Sequence, residues 1–124
     1  MEKKRILIVD DEEKFARMVQ VILEGTGKYE VRMEIRGKIA FQAARDFHPD
    51  LILLDIAMPD VDGAEVASQL REDQTLRNVP VVFLTAMVAR SEVGPDSKIG
   101  GHPFIAKPVS AQELLQGIEK NLRK

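Results

Sequence analysis

A chain of 124 residues with 44% hydrophobic content is long enough for one domain with a real core and too short for two, so residues 1–124 are expected to form a single unit. Its 18 basic and 20 acidic residues are spread to a net charge of -2, which leaves no basic stripe for a polyanion, and no direct nucleic-acid partner is expected. The absence of cysteine excludes disulfide frameworks and thiolate sites, and no apolar run approaches membrane-spanning or signal-peptide length, so the expected compartment is the cytoplasm.

Apolar bursts alternate with longer stretches of helical period, the pattern of βαβ units and a parallel sheet covered on both faces: a three-layer α/β/α fold with about five strands and five helices. The first burst, Ile6-Leu7-Ile8-Val9, runs into Asp10-Asp11. A helix follows with Phe15, Met18, Val19, Ile22 and Leu23 at helical spacing, stopping near Gly25-Thr26-Gly27. In residues 29–35, Tyr29, Val31, Met33 and Ile35 alternate with charged residues, which predicts a strand with one wet face at the sheet edge. Gly37 opens a second helix with Ile39, Ala40, Ala43, Ala44 and Phe47 inward, and His48-Pro49 closes it.

The third burst, Leu51-Ile52-Leu53-Leu54, delivers Asp55 to a strand tip. Asp62 and Glu65 are spaced as an acidic capping box, with Val61 and Val66 as a hydrophobic staple, and start the third helix. Val81-Val82-Phe83-Leu84 ends at Thr85. Between Met87 and Gly101 the breaker Gly94-Pro95 interrupts helical sequence, which predicts a short, irregular or mobile fourth helix. Phe104-Ile105-Ala106 leads to Lys107-Pro108, and Ser110 with Glu113, flanked by Val109 and Leu114, boxes the last helix, whose buried stripe is Leu114, Leu115, Ile118 and Leu122. His48 and His102, each beside a proline, read as surface-loop histidines.

Strands of one parallel sheet bring Asp10-Asp11, Asp55, Thr85 and Lys107 to the edge where open α/β sheets hold ligands. Three carboxylates there repel one another unless a cation intervenes, and a hard ion such as Mg²⁺ takes one or two protein carboxylates plus a phosphate oxygen. Helix capping would account for the acid pair alone, a turn for Asp55, β-branched strand preference for Thr85 and solvation for Lys107. Together they are the parts of a phosphoryl-accepting site: a nucleophilic carboxylate at Asp55, a hydroxyl at Thr85 and a cation at Lys107.

From near Arg5 to its C-terminus the chain resembles the receiver domain of two-component response regulators. The marks are Asp10-Asp11, Asp55-Ile56-Ala57-Met58-Pro59 with Asp62-Gly63 beyond, Thr85-Ala86, and Phe104 three residues before Lys107-Pro108. The resemblance implies a flavodoxin-like sheet in the order 2-1-3-4-5. It implies phosphorylation of Asp55 by a histidine kinase or phosphotransfer protein, with Mg²⁺, or Mn²⁺ in its place, held by Asp10, Asp11, Asp55 and the Ala57 backbone carbonyl. Lys107 would pair with the phosphoryl group across a cis bond to Pro108, while Thr85 and Phe104 would switch the face of the fourth helix, fifth strand and fifth helix. That face would meet a downstream protein or output domain, the chain being a monomer or a phosphorylation-dependent dimer.

Ala57 and Met87, apolar where receivers flank the hydrolysing water, imply slow self-dephosphorylation. On this reading the chain is an acceptor that assists its own phosphorylation and dephosphorylation more than an enzyme. Two other classes stand beside it: a receiver-like module that binds partners without phosphorylation, and an aspartyl-phosphate hydrolase, which lacks the second acid two residues after Asp55.

Overall fold

The computed structural model describes residues 2–86, 98–99, 101–107 and 109–122. Its strands are β1 (Lys4–Val9), β2 (Tyr29–Glu34), β3 (Leu51–Asp55), β4 (Val81–Thr85), β5 (Lys98–Ile99) and β6 (His102–Ala106). The helices are α1 (Glu13–Gly25), α2 (Ala40–Phe47), α3 (Gly63–Glu72) and α4 (Ala111–Leu122), with a 3₁₀ turn at Gly37–Ile39. The expected fourth helix and its mobility fall on residues 87–97 and 100, outside the described residues, so α4 here is the helix expected as the fifth.

Five parallel strands lie in the order expected, with β6 in the fifth place, and β2 is the edge strand its alternation predicted. The two-residue β5 pairs antiparallel with β6 outside it, an unexpected strand because two residues carry no period.

Period-two alternation builds the two faces. Ile6, Ile8, Leu51, Leu53, Val82 and Leu84 pack beneath α1 and α4 with Val19, Leu23, Leu114 and Ile118. Leu7, Val9, Ile52, Leu54, Val81 and Phe83 pack on the other face with Ala40, Ala43, Ala44, Val66 and Leu70 of α2 and α3. A strand apolar at every position is thus a strand buried on both sides. In α1 Val19 and Leu23 are buried with Ala16, and Phe15 and Ile22 pack against the same core, while Met18, expected inward, stays 41% exposed.

The helix ends follow local chemistry. Asp62 Oδ1 accepts the Ala64 N–H at 2.9 Å, capping α3. Ser110 and Glu113 form a reciprocal box: Glu113 N donates to Ser110 Oγ at 3.1 Å and Ser110 N to Glu113 Oε1 at 3.2 Å. His48 leaves α2 in a left-handed conformation (φ 54°) while its N–H still reaches Ala44 O at 3.0 Å. His102 is no loop histidine: it lies in β6, half-buried, its ring edge-on to Phe83 at 5.4 Å and 2.6 Å from Arg71 Nη2.

Candidate functional site

Strand register decides what meets at the carboxyl edge. Val9 is paired with Leu54, so Asp10 leaves β1 beside Asp55, the last residue of β3; Asp55 is paired with Leu84, and Thr85 with Ala106, so Thr85 and Lys107 complete the rim. The Lys107 N–H donates to Thr85 O at 2.8 Å and Ile56 N–H to Leu84 O at 3.1 Å, extending the ladder into the loops. The sequence-predicted residues Asp10, Asp11, Asp55, Thr85 and Lys107 therefore stand at one end of the sheet.

Carboxylate oxygens of Asp10, Asp11 and Asp55 lie within 4.8 Å of one another. Asp10 is fully buried and Asp55 nearly so, at 5% exposure, whereas Asp11 is exposed. Asp10 Oδ1 accepts the Glu12 N–H at 2.9 Å, and Asp55 Oδ1 accepts the Ala57 N–H at 3.2 Å. Asp10 Oδ2 is buried and receives no hydrogen bond, its contact with Lys107 Nζ at 2.8 Å being an ion pair. Lys107 Nζ also lies 2.8 Å from Glu12 Oε1, 3.9 Å from Asp55 Oδ2 and 4.5 Å from the centre of the Phe15 ring.

Burial pushes the Asp55 carboxyl up to about 7; a hydrogen bond with Asp11 and the Asp10 charge add to the rise, against the Ala57 N–H and Lys107. Burial alone would lower the Lys107 ammonium, but Asp10 and Glu12, with the Asp55 charge, outweigh it and raise its pKa. The site is short of positive charge, and the buried Asp10 Oδ2 has the Lys107 ion pair but no hydrogen bond. These features fit a hard divalent cation, which oxygen donors of this kind hold.

The loop after β3 is fixed by two close approaches. Asp60 accepts the Gly37 N–H at 3.3 Å and the Lys38 N–H at 3.1 Å, which ties the loop to the 3₁₀ turn, and a side chain at Gly37 would run into Val61 and Met58. At Gly63 a Cβ would stand 2.6 Å from Asp55 O and 2.7 Å from Ile56 Cα, so only glycine lets α3 start against the strand that carries Asp55. An antiparallel bridge between Ala57 and Asp62 closes the turn.

The sequence matches the response regulator receiver domain over residues 6–119. The chain belongs to that family. As a receiver it is 34% identical over 119 residues, 96% of either chain, to the polar-differentiation response regulator DivK of Brucella ovis. Chemotaxis protein CheY4 of Vibrio cholerae shares its fold with a TM-score of 0.83 at 25% identity, covering 97% of this receiver and 99% of that chain. The signal receiver domain of a histidine kinase from Syntrophus aciditrophicus gives a TM-score of 0.78 at 31% identity, covering 97% and 90%.

Phe104 is half-buried and packs on the core face beside Phe83, its partner in register across β4 and β6. Met87 and Pro108, with the expected cis bond before it, lie outside the described residues. Sequence reasoning missed Glu12 and Phe15, both within reach of Lys107. The only available signal was a third consecutive acid after Asp10-Asp11, and an ion pair spanning 95 residues has no local pattern.

Proposed function

We propose that this receiver takes a phosphoryl group on Asp55 from the phosphohistidine of a histidine kinase or phosphotransfer protein, in a reaction that depends on Mg²⁺, with Mn²⁺ able to replace it. The observation that carries this reading is the convergence of the Asp10, Asp11 and Asp55 carboxylates within 4.8 Å, with the Lys107 ammonium 3.9 Å from Asp55. Asp10, Asp11, Asp55 and the Ala57 carbonyl would hold the cation, which when bound supplies positive charge to the phosphoryl oxygens and to the acid cluster.

A carboxylate oxygen of Asp55 forms the new P–O bond as the P–N bond of the donor breaks; the departing imidazole keeps the electron pair and is protonated. Lys107 places its charge against the equatorial oxygens, and the Thr85 hydroxyl donates to one of them. Phe104, which has no hydroxyl, reports the change by packing alone. Shifting a two-state population from 1:99 to 99:1 takes roughly 5.5 kcal/mol of differential stabilisation, which the new dianion supplies in large part. The altered face, centred on β6 and α4, meets a downstream protein or output domain in the cytoplasm, as a monomer or as a dimer formed on phosphorylation. Among the described residues no helix is long and apolar enough to cross a membrane.

Incubation with Mg²⁺ and acetyl phosphate, followed by intact mass, tests the reading. A gain of one phosphoryl group, lost in Asp55→Asn and in EDTA, is expected. Turnover of the donor without an adduct would make the protein a hydrolase, and neither adduct nor turnover would leave a partner-binding module.

A further inference from the structure

Lys107 Nζ is 2.8 Å from Glu12 and 3.9 Å from Asp55, so in the unphosphorylated protein the ammonium is seated away from the residue it is to serve. The seat is the start of α1. Glu12 occupies the position before the helix, where its side chain makes no cap hydrogen bond and reaches to Lys107. Phe15, one turn on, places its ring 4.5 Å from Nζ, a cation–π distance. Carboxylate and ring together hold a lysine whose side chain is only 10% exposed.

Asp10 is the other carboxylate at 2.8 Å from Nζ, but in the proposed function it turns to the cation. Among the described residues, Glu12 is then the competitor left for Lys107. The geometry points to Glu12 as a positioning residue that retains Lys107 on α1 in the resting state, so that phosphoryl acceptance requires the ammonium to pass from Glu12 to the oxygens on Asp55. This rests on the phosphoacceptor reading above and goes beyond it by assigning a brake to a residue outside the acceptor site. The Glu12 side chain is 63% exposed, so the brake is weak. An ion pair with one solvated partner holds an equilibrium by about two- to fivefold.

The test compares adduct formation from acetyl phosphate at saturating Mg²⁺ in the wild type, Glu12→Gln and Glu13→Gln. Glu13 carries the same charge on the next residue but pairs with Arg17 at 3.4 Å, so Glu13→Gln controls for repulsion of an anionic donor. Thermal melts check that each variant is folded, which exposed substitutions allow. The expected result is a rate about two- to fivefold above wild type in Glu12→Gln and an unchanged rate in Glu13→Gln. A Glu12→Gln rate equal to or below wild type overturns the brake. Equal acceleration in both variants also overturns it and leaves only long-range charge. Failure of the wild type to form an adduct at all sinks the phosphoacceptor reading itself, a result separate from either.

Discussion

In the metal-free protein, Asp55→Asn is expected to raise stability at about pH 8 and to leave it nearly unchanged at about pH 4. Asp55 is 5% exposed, and its carboxyl is pushed up to about 7 in the folded state from an ordinary value of 3.8. The folded protein therefore binds this proton more tightly than the unfolded chain. The resulting stability is fully present below about pH 4 and is lost as pH rises through about 7. The whole loss is on the order of 4 kcal/mol. Asp10 and Asp11 contribute to that rise and stay in the variant, so the part recovered by removing Asp55 alone is smaller, on the order of 2 kcal/mol. Lys107 does not become an unpaired buried charge in the variant, because Asp10 and Glu12 each stay 2.8 Å from its Nζ. Urea unfolding of both proteins in EDTA across this pH range reads the gap directly. Saturation with Mg²⁺ at about a hundred times its Kd would add roughly 2.7 kcal/mol to the wild type and less to the variant, closing the gap. A gap that is constant with pH, or an Asn variant less stable than wild type at about pH 8, would refute the electrostatic account of this site.

Gly63→Ala drives a methyl group into the Asp55 carbonyl and Ile56 Cα, at 2.6 and 2.7 Å, and is expected to cost about 1–3 kcal/mol in urea unfolding and to weaken Mg²⁺ binding through the displaced Asp55. Unchanged values for both would show that the α3 start has room to shift. Ala57→Asn puts a hydrogen-bonding amide two residues after Asp55, on an exposed loop, and is expected to shorten the acyl-phosphate lifetime by roughly tenfold, the rate equivalent of about 1.4 kcal/mol. A lifetime equal to or longer than wild type, followed by intact mass, would end the idea that apolar flanks slow hydrolysis. Asp60→Ala removes the acceptor of the Gly37 and Lys38 N–H groups, and hydrogen exchange at those two amides is expected to accelerate. Unaltered exchange would mean that the clamp does not hold the loop in solution.

The sheet could be read from sequence because β1, β3 and β4 are buried on both sides, which forces four apolar residues in a row and leaves the next polar residue at the tip. The same physics exposed Asp10, Asp55 and Thr85 to sequence reading, and the alternation of Tyr29, Val31 and Met33 placed β2 at the edge. Capping pairs are local, so the Ser110–Glu113 box was equally legible. Glu12 and Phe15 were not, since their importance lies in Lys107, which arrives from the far end of the chain. Ala16 was overlooked in α1 for another reason: a small residue contributes little to an apolar pattern even when it is completely buried.

Asp10, Glu12 and Asp55 lie within 3.9 Å of the Lys107 ammonium and Asp11 joins the aspartate cluster, and the rise of Asp55 to about 7 relieves part of that excess of negative charge. A proton on Asp55 and a divalent cation among the three aspartates remove the same repulsion, so each should weaken the binding of the other. Phosphorylation of Asp55, as proposed, would take it out of this competition but return more negative charge to the same place. On the proposed function, the need for a cation would then come from the chain's own carboxylates and not from the identity of the phosphodonor. A protein phosphohistidine and a small acyl phosphate should consequently show the same dependence on Mg²⁺ concentration, however far apart their absolute rates, and different dependences would place the cation requirement in the donor.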